Sequence, residues 1–194
     1  MIAILSDCTA IMPLRASHVM LVTHKETMST SDKTRHVPES MAGSRTLDEL
    51  ANHCFGCGPA NPHGLHLVFT TSTDDLQHPT ATAQILLDRH HEGPPGYLHG
   101  GLVATLLDEA MSKLNRPLNV LAMTRHMEVD YLRPVPLFQP LVVASTHLRR
   151  EGRKLFHQAE IQTPNGVVLA RAKGLFIVLD EETLAAAGLT QPED

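Results

Sequence analysis

His99-Gly100-Gly101 leads into an apolar run, Leu102-Val103-Ala104-Thr105-Leu106-Leu107, that ends on Asp108. These residue types suit acyl transfer. Glycines without a Cβ let a ligand approach the backbone closely. If the run is a helix, its first N–H groups lack intrahelical partners and sit at the positive end of the helix dipole, where a developing oxyanion is stabilised. Asp108 lies seven residues past Gly101, on the same helix face and roughly 10 Å along the axis. A carbonyl over the helix start thus has its acyl group near Asp108 of the same chain or of a second copy. A lone carboxylate among Leu106, Leu107, Ala110 and Met111 is costly to bury unpaired. Burial would raise its pKa, which suits a general base. The plain alternative puts Asp108 and Glu109 on a solvent-exposed helix edge.

Other side chains qualify for the same chemistry. Glu109 is the rival carboxylate, rotated about 100° from Asp108, and a salt bridge or solvent is its expected partner. Ser112 and Met111 lie one turn beyond Asp108 and would line an acyl pocket, although core packing is the stronger expectation for Met111. His99 has three candidate roles: general acid, orienting group or helix cap. Cys54-x-x-Cys57, with His53, His63 or His66 nearby, invites a zinc reading. Structural zinc normally takes four ligands, and the string alone supplies two. It is therefore read as a turn, and no metal or redox cofactor is expected. Arg149-Arg150-Glu151-Gly152-Arg153-Lys154 is a basic turn on an acidic protein. Arg149, Arg150, Arg153 and Lys154 suit phosphate groups, against the bland reading of a solvated turn.

These groups need a scaffold. The 194 residues suit one domain plus a tail, and 42% hydrophobic content is ordinary for a globular protein. With no Trp and two Tyr, the core is expected to be aliphatic. A net charge of −5 gives no general attraction to nucleic acid or anionic membranes, and the basic turn is too small and too poor in aromatics for nucleic acid. Three cysteines argue against a disulfide framework. No apolar run approaches the roughly 20 residues that span a bilayer. The N-terminus lacks a secretory pattern, so cytoplasm is the expected location.

Residues 1–45 mix Ser, Thr, His and Met without a period and read as a poorly ordered extension, with a partner-binding or targeting tail as the alternative. Thr46 to Glu49 has capping-box spacing for a short helix reaching about His53. Strands are expected over residues 65–71 and 80–87, then a helix over about 99–115 with Leu102, Leu106, Ala110 and Leu114 as its buried stripe. Four strands follow, over about 121–132, 141–149, 154–163 and 167–179, with hairpin turns at Gly152 and Asn165-Gly166. This order is α+β: an antiparallel sheet holding one long helix. The tail, 181–194, begins with a possible short helix.

The string His99-Gly100-Gly101, apolar helix, Asp108 resembles the signature of hot-dog-fold acyl-CoA thioesterases, in particular the phenylacetic-acid-degradation branch. Cys54-Phe55-Gly56-Cys57-Gly58-Pro59 and Thr124 to Pro136 are also similar to segments of that family, so the resemblance runs from about Cys54 to Leu179. It implies a hot-dog domain over 46–180, with a sheet wrapped around the helix. It implies a homodimer or dimer of dimers with sites at the subunit interface, and hydrolysis of acyl-CoA to a carboxylic acid and coenzyme A. Asp108 would be base or nucleophile, the N–H of Gly101 the oxyanion donor, and His99 with Gly100 the positioning elements. His91 and Glu92 would lie in a loop that helps hold the thioester or water. Met127 would lie on a strand lining the pantetheine channel, and the basic turn would grip the nucleotide. Two other classes remain: an acyl-CoA-binding sensor without turnover, and a hot-dog dehydratase of acyl thioesters. The intact Asp108 argues against the first, and product analysis separates the second.

Overall fold

The computed structural model describes residues 53–186. The expected extension over 1–45, the Thr46 capping box and the chain after residue 186 lie outside the described residues. Six strands form one antiparallel sheet in the order β1-β2-β4-β5-β6-β3. They are β1 (Thr70–Ser72), β2 (Thr80–Leu86), β3 (Ala122–Tyr131), β4 (Pro140–Glu151), β5 (Lys154–Gln162) and β6 (Val168–Val178). Helix α1 (Gly100–Ser112) lies between β2 and β3 in sequence and packs on the sheet, and α2 (Glu181–Ala186) follows β6. This is the expected α+β architecture.

The apolar residues of α1 explain its docking. Val103, Leu106, Leu107, Ala110 and Met111 are buried, the 3.6-residue period of a helix laid on a core. They meet Val143, Leu155, Ile161, Ala172 and Phe176 of the strands in one cluster. Gly174 permits this approach, because a Cβ there would sit 2.9 Å from Met111 Sδ and 2.8 Å from the Phe176 ring. Ser145 Oγ donates to the Ala110 carbonyl at 2.6 Å, tying β4 to the helix. The core holds one histidine pair, His147 Nδ1 and His157 Nδ1 at 3.1 Å. Burial pushes His157 down to about 3, so its ring stays neutral.

Two expectations change. The strand over 65–71 shrinks to Thr70–Ser72. Leu65 and Leu67 are buried, but their N–H groups bond the carbonyls of Phe55 and Gly56 instead of a strand. His66 between them, at φ 49°, breaks the extended backbone. The helix over 99–115 ends at Ser112, and a 3₁₀ turn, Lys113–Asn115, completes it. The hairpin turns fall as expected, with positive φ at Gly152 and Gly166.

Two bulges re-aim side chains. Along β3, Thr124 pairs with Phe176 and His126 with Leu175, leaving Arg125 as the extra residue. Along β4, His147 pairs with His157 and Arg149 with Phe156, leaving Leu148 extra. An extra residue exchanges the two faces of the strand beyond it.

Candidate active site

The β3 bulge decides what meets Asp108. Strict alternation from Met127 would turn Arg125 toward the helix. The bulge substitutes Thr124, whose Oγ1 donates to Asp108 Oδ1 at 2.7 Å. Asp108 is half-buried and has no cationic partner among the described residues. Burial first, then the charge of Glu109, holds its carboxyl above the usual carboxylate range, and the Thr124 hydroxyl partly offsets this. A desolvated carboxylate with one hydrogen bond and no counter-ion has the environment of a general base.

Glu109 meets a different environment. Its Oε1 pairs with Lys113 Nζ at 2.8 Å, the expected salt bridge, and Cys54 Sγ donates to its Oε2 at 3.6 Å. Burial and the Glu109 carboxylate push the Cys57 thiol up to about 12, which makes it a poor nucleophile. Burial opposes the charge of Lys113, but bonds to Cys57 and Glu109 outweigh it and hold the ammonium above its usual range. A second-rank catalytic role for Glu109 therefore competes with three close polar neighbours.

At the start of α1, His99 is the N-cap, and its Nδ1 accepts the N–H of Gly101 at 3.0 Å. The N–H expected to meet an oxyanion is thus engaged by the cap. The Gly100 N–H has no acceptor among the described residues, while the Gly100 carbonyl accepts from Tyr131 Oη at 3.1 Å. The preceding loop is held by its own polar groups. His91 Nδ1 lies 2.9 Å from Asp88 Oδ1, the His91 carbonyl accepts from His99 N–H at 3.0 Å, and Glu92 Oε1 accepts from Gly96 N–H at 2.6 Å. His91 and Glu92 therefore brace the turn that delivers His99. Beside them opens a cavity of about 390 Å³ lined by Phe55, Pro62, Leu65, His91 and Leu102 among others.

Ser112 is half-buried at the far end of α1, and Met127 packs against the core from β3. The basic turn is partly self-neutralised. Arg149 pairs with Glu151 at 2.8 Å and lies 3.7 Å over the Phe156 ring, and Arg153 pairs with Asp180 at 2.8 Å. Arg150 Nε donates to the Gly152 carbonyl at 2.9 Å, and Lys154 is exposed. The second bulge separates the first two arginines. Arg149 faces Phe156 on the outer side, while Arg150 pairs with buried Leu155 on the helix side. Leu155 pairs with Phe176 and Phe176 with Thr124. Arg150 thus shares a cross-sheet row with the partner of Asp108, three strand spacings or about 14 Å away.

Sequence reasoning missed Thr124 and Lys113. An i,i+4 Glu-to-Lys spacing on the helix was available as a signal for Lys113. Nothing local marks the bulge that turns Thr124 inward.

Residues 95–170 match the thioesterase superfamily model. The acyl-coenzyme A thioesterase THEM4 of Rattus norvegicus is 37% identical over 94 residues, covering 48% of this chain and 40% of that protein. Its Mus musculus counterpart is 39% identical over 94 residues, with the same coverage. The chain thus spans about two fifths of the length of these curated relatives. A crystallised thioesterase superfamily protein superposes with a TM-score of 0.62 at 29% identity, over 71% of this chain and 68% of that one. The E. coli PaaI protein of the phenylacetic acid degradation operon, at 17% identity and a TM-score of 0.51 over 60% of this chain and 81% of that one, shares the fold. No helix among the described residues is long and apolar enough to cross a membrane.

Proposed function

We propose that the chain carries a thioesterase-superfamily domain on the hot-dog fold, as the match over residues 95–170 supports, and that it hydrolyses acyl-CoA thioesters to the free carboxylic acid and coenzyme A. The observation that carries the proposal is Asp108: half-buried, uncompensated by a cation, and held by Thr124 on the helix that the two glycines open. In the base route, Asp108 takes a proton from water as the water oxygen attacks the thioester carbonyl. The tetrahedral oxyanion is held at the helix start and then collapses, and the C–S bond breaks. The departing thiolate takes up the proton. In the nucleophile route, Asp108 attacks the carbonyl itself and water then hydrolyses the anhydride. Trapping with hydroxylamine or borohydride during turnover separates the two, since only the second forms an acyl-enzyme anhydride at Asp108.

Gly100 N–H is the donor already open, and Gly101 N–H joins it if His99 Nδ1 releases it. Removing an oxyanion donor costs about 3–4 kcal/mol in other acyl-transfer enzymes. Asp108 sits about 10–12 Å along the axis from these donors, too far to act on a carbonyl they hold in the same chain. The helix start of one copy must therefore meet Asp108 of another, so the working form is a homodimer or dimer of dimers. The edge of β3, unpaired among the described residues, ten residues long and carrying exposed Met123 and Tyr131, supports such an association. Of the basic turn, Arg150 and Lys154 are the groups with capacity left for the coenzyme A phosphates. The reaction calls on no redox cofactor, and cytoplasm is the proposed setting.

Binding without turnover is the second reading, favoured by the cap on Gly101 N–H. Both readings meet one experiment: free-thiol release from short, medium, long and aryl acyl-CoAs by wild type and Asp108→Asn. Turnover that collapses in a folded Asp108→Asn protein establishes the thioesterase. Saturable binding with no turnover by wild type establishes the sensor.

A further inference from the structure

We propose that Cys54, Cys57 and Glu109 bind one thiophilic divalent cation of the zinc class, which ties the turn around Gly56 to helix α1. Two thiols separated by two residues did not by themselves make a zinc site. The fold brings a third donor from 55 positions away in sequence. The two sulfurs and a Glu109 carboxylate oxygen all lie within 4.8 Å of one another, and each residue is half-buried. A tetrahedral zinc with Zn–S bonds of about 2.3 Å has ligand–ligand edges of about 3.8 Å. The Cys54 Sγ–Glu109 Oε2 separation is already 3.6 Å, so closure asks about 1 Å of movement at most from the rest.

The carboxylate is divided in a way that suits this use. Oε1 is held by Lys113 Nζ at 2.8 Å, and Oε2 faces Cys54. A cation on Oε2 keeps Lys113 as the outer partner that orients the ligand. The charges also close: two thiolates and one carboxylate on a divalent ion leave one negative charge, opposite the Lys113 ammonium. The turn is shaped to the carboxylate. Gly58 N–H bonds the Cys54 carbonyl at 2.9 Å, bringing the two cysteines to one side of the turn, and a Cβ on Gly56 would stand 2.3 Å from Glu109 Oε2. Sulfur donors exclude magnesium and calcium, which take oxygen, and select zinc among abundant cations. Three protein ligands leave a fourth position for water. His66, in the following chain, is turned to the Asn61 carbonyl at 2.6 Å.

The test is cobalt titration of the full chain, reduced with a phosphine and stripped of metal. A thiolate-to-cobalt charge-transfer band is expected, with the visible bands of a tetrahedral ion, saturating at one cobalt per chain and displaced by zinc. Cys54→Ser and Cys57→Ser should each weaken zinc at least tenfold in chelator competition, and Glu109→Gln about tenfold. Absence of the band overturns the site, as does its persistence unchanged in both cysteine variants. If those variants do not fold, thiol alkylation of wild type decides. Zinc should slow labelling of Cys54 and Cys57 relative to Cys8, and equal rates with and without zinc overturn the proposal.

Discussion

Asp108 and Glu109 are neighbours in sequence with the same charge, and α1 gives them different surroundings. Asp108 meets β3, where the Thr124 hydroxyl is its hydrogen-bond partner among the described residues and burial raises its pKa. Glu109 meets a lysine one turn later and a thiol from the turn around Gly56. The helix supplies only the rotation of about 100° between them. Chemistry is assigned by what packs on each face. The side that leaves a carboxylate without a cation is the side fit for proton transfer, and the side that supplies cation and thiols is fit for binding and for holding the loop in place.

The comparison breaks most visibly in turnover. Asp108→Asn should lower kcat/KM for acyl-CoA by about 10²–10⁴-fold, the size of a lost general base. Glu109→Gln should cost less than about tenfold. A collapse in Glu109→Gln with Asp108→Asn spared would reverse the assignment of the two faces.

Stability should move in the opposite sense. Because burial raises the Asp108 pKa, the folded protein binds that proton more readily than the unfolded chain. The ionised carboxylate is therefore a cost at neutral pH, one that disappears as pH falls through the raised folded pKa. Asp108→Asn should raise Tm at neutral pH, with the gain shrinking in acid, an exchange of stability for function. Glu109→Gln removes the charge that pairs with Lys113 and should destabilise by about 1–3 kcal/mol in denaturant unfolding. A Tm lowered by Asp108→Asn at neutral pH would mean that the Thr124 contact outweighs the burial cost.

Thr124 sharpens the same point with a smaller effect. Its hydroxyl lowers the Asp108 pKa against burial. Thr124→Val should therefore push that pKa further up, and the acid limb of kcat/KM against pH should move to higher pH. Below that limb the variant should be about threefold to tenfold slower than wild type. An unmoved limb would show that another group controls it.

How much of this was legible varied with distance in the chain. The four long strands and both hairpin turns rest on local periodicity and on glycine in the turns, and they read directly; the helix stripe read in part, since Leu106, Ala110 and Leu114 are buried but Leu102 is only half-buried and Val103, Leu107 and Met111 complete the face. The half-buried placement of Asp108 was legible because a carboxylate among leucines on a core-facing helix falls at the edge of the buried stripe. Thr124 did not read. The alternation of Met127, Val129 and Tyr131 points to Arg125, and only pairing with β6 reveals the extra residue. The partners of Glu109 were also hidden, since Cys54 reaches it only through the tertiary fold. The strand expected over 65–71 failed because apolar residues there are buried by a loop, with His66 in the left-handed region.

The smallest test concerns a second pair of neighbours with divided surroundings. The bulge at Leu148 sends Arg149 outward over Phe156 and beside Glu151, and turns Arg150 to the row that ends at Thr124. Exposed at the end of that row, Arg150 is the arginine of the pair placed to reach a phosphate from the helix side. Arg150→Gln should raise KM for acyl-CoA about threefold to fivefold with kcat unchanged, the signature of lost uniform binding. Arg149→Gln should leave KM within about twofold, because its charge is already spent on Glu151 and the ring. A thioester lacking the nucleotide should be hydrolysed equally by both variants and wild type. If both arginines raise KM alike, the turn acts as a diffuse positive field and the bulge has no part in recognition. If only Arg150 does, the extra residue in β4 performs for the nucleotide what the extra residue in β3 performs for the base.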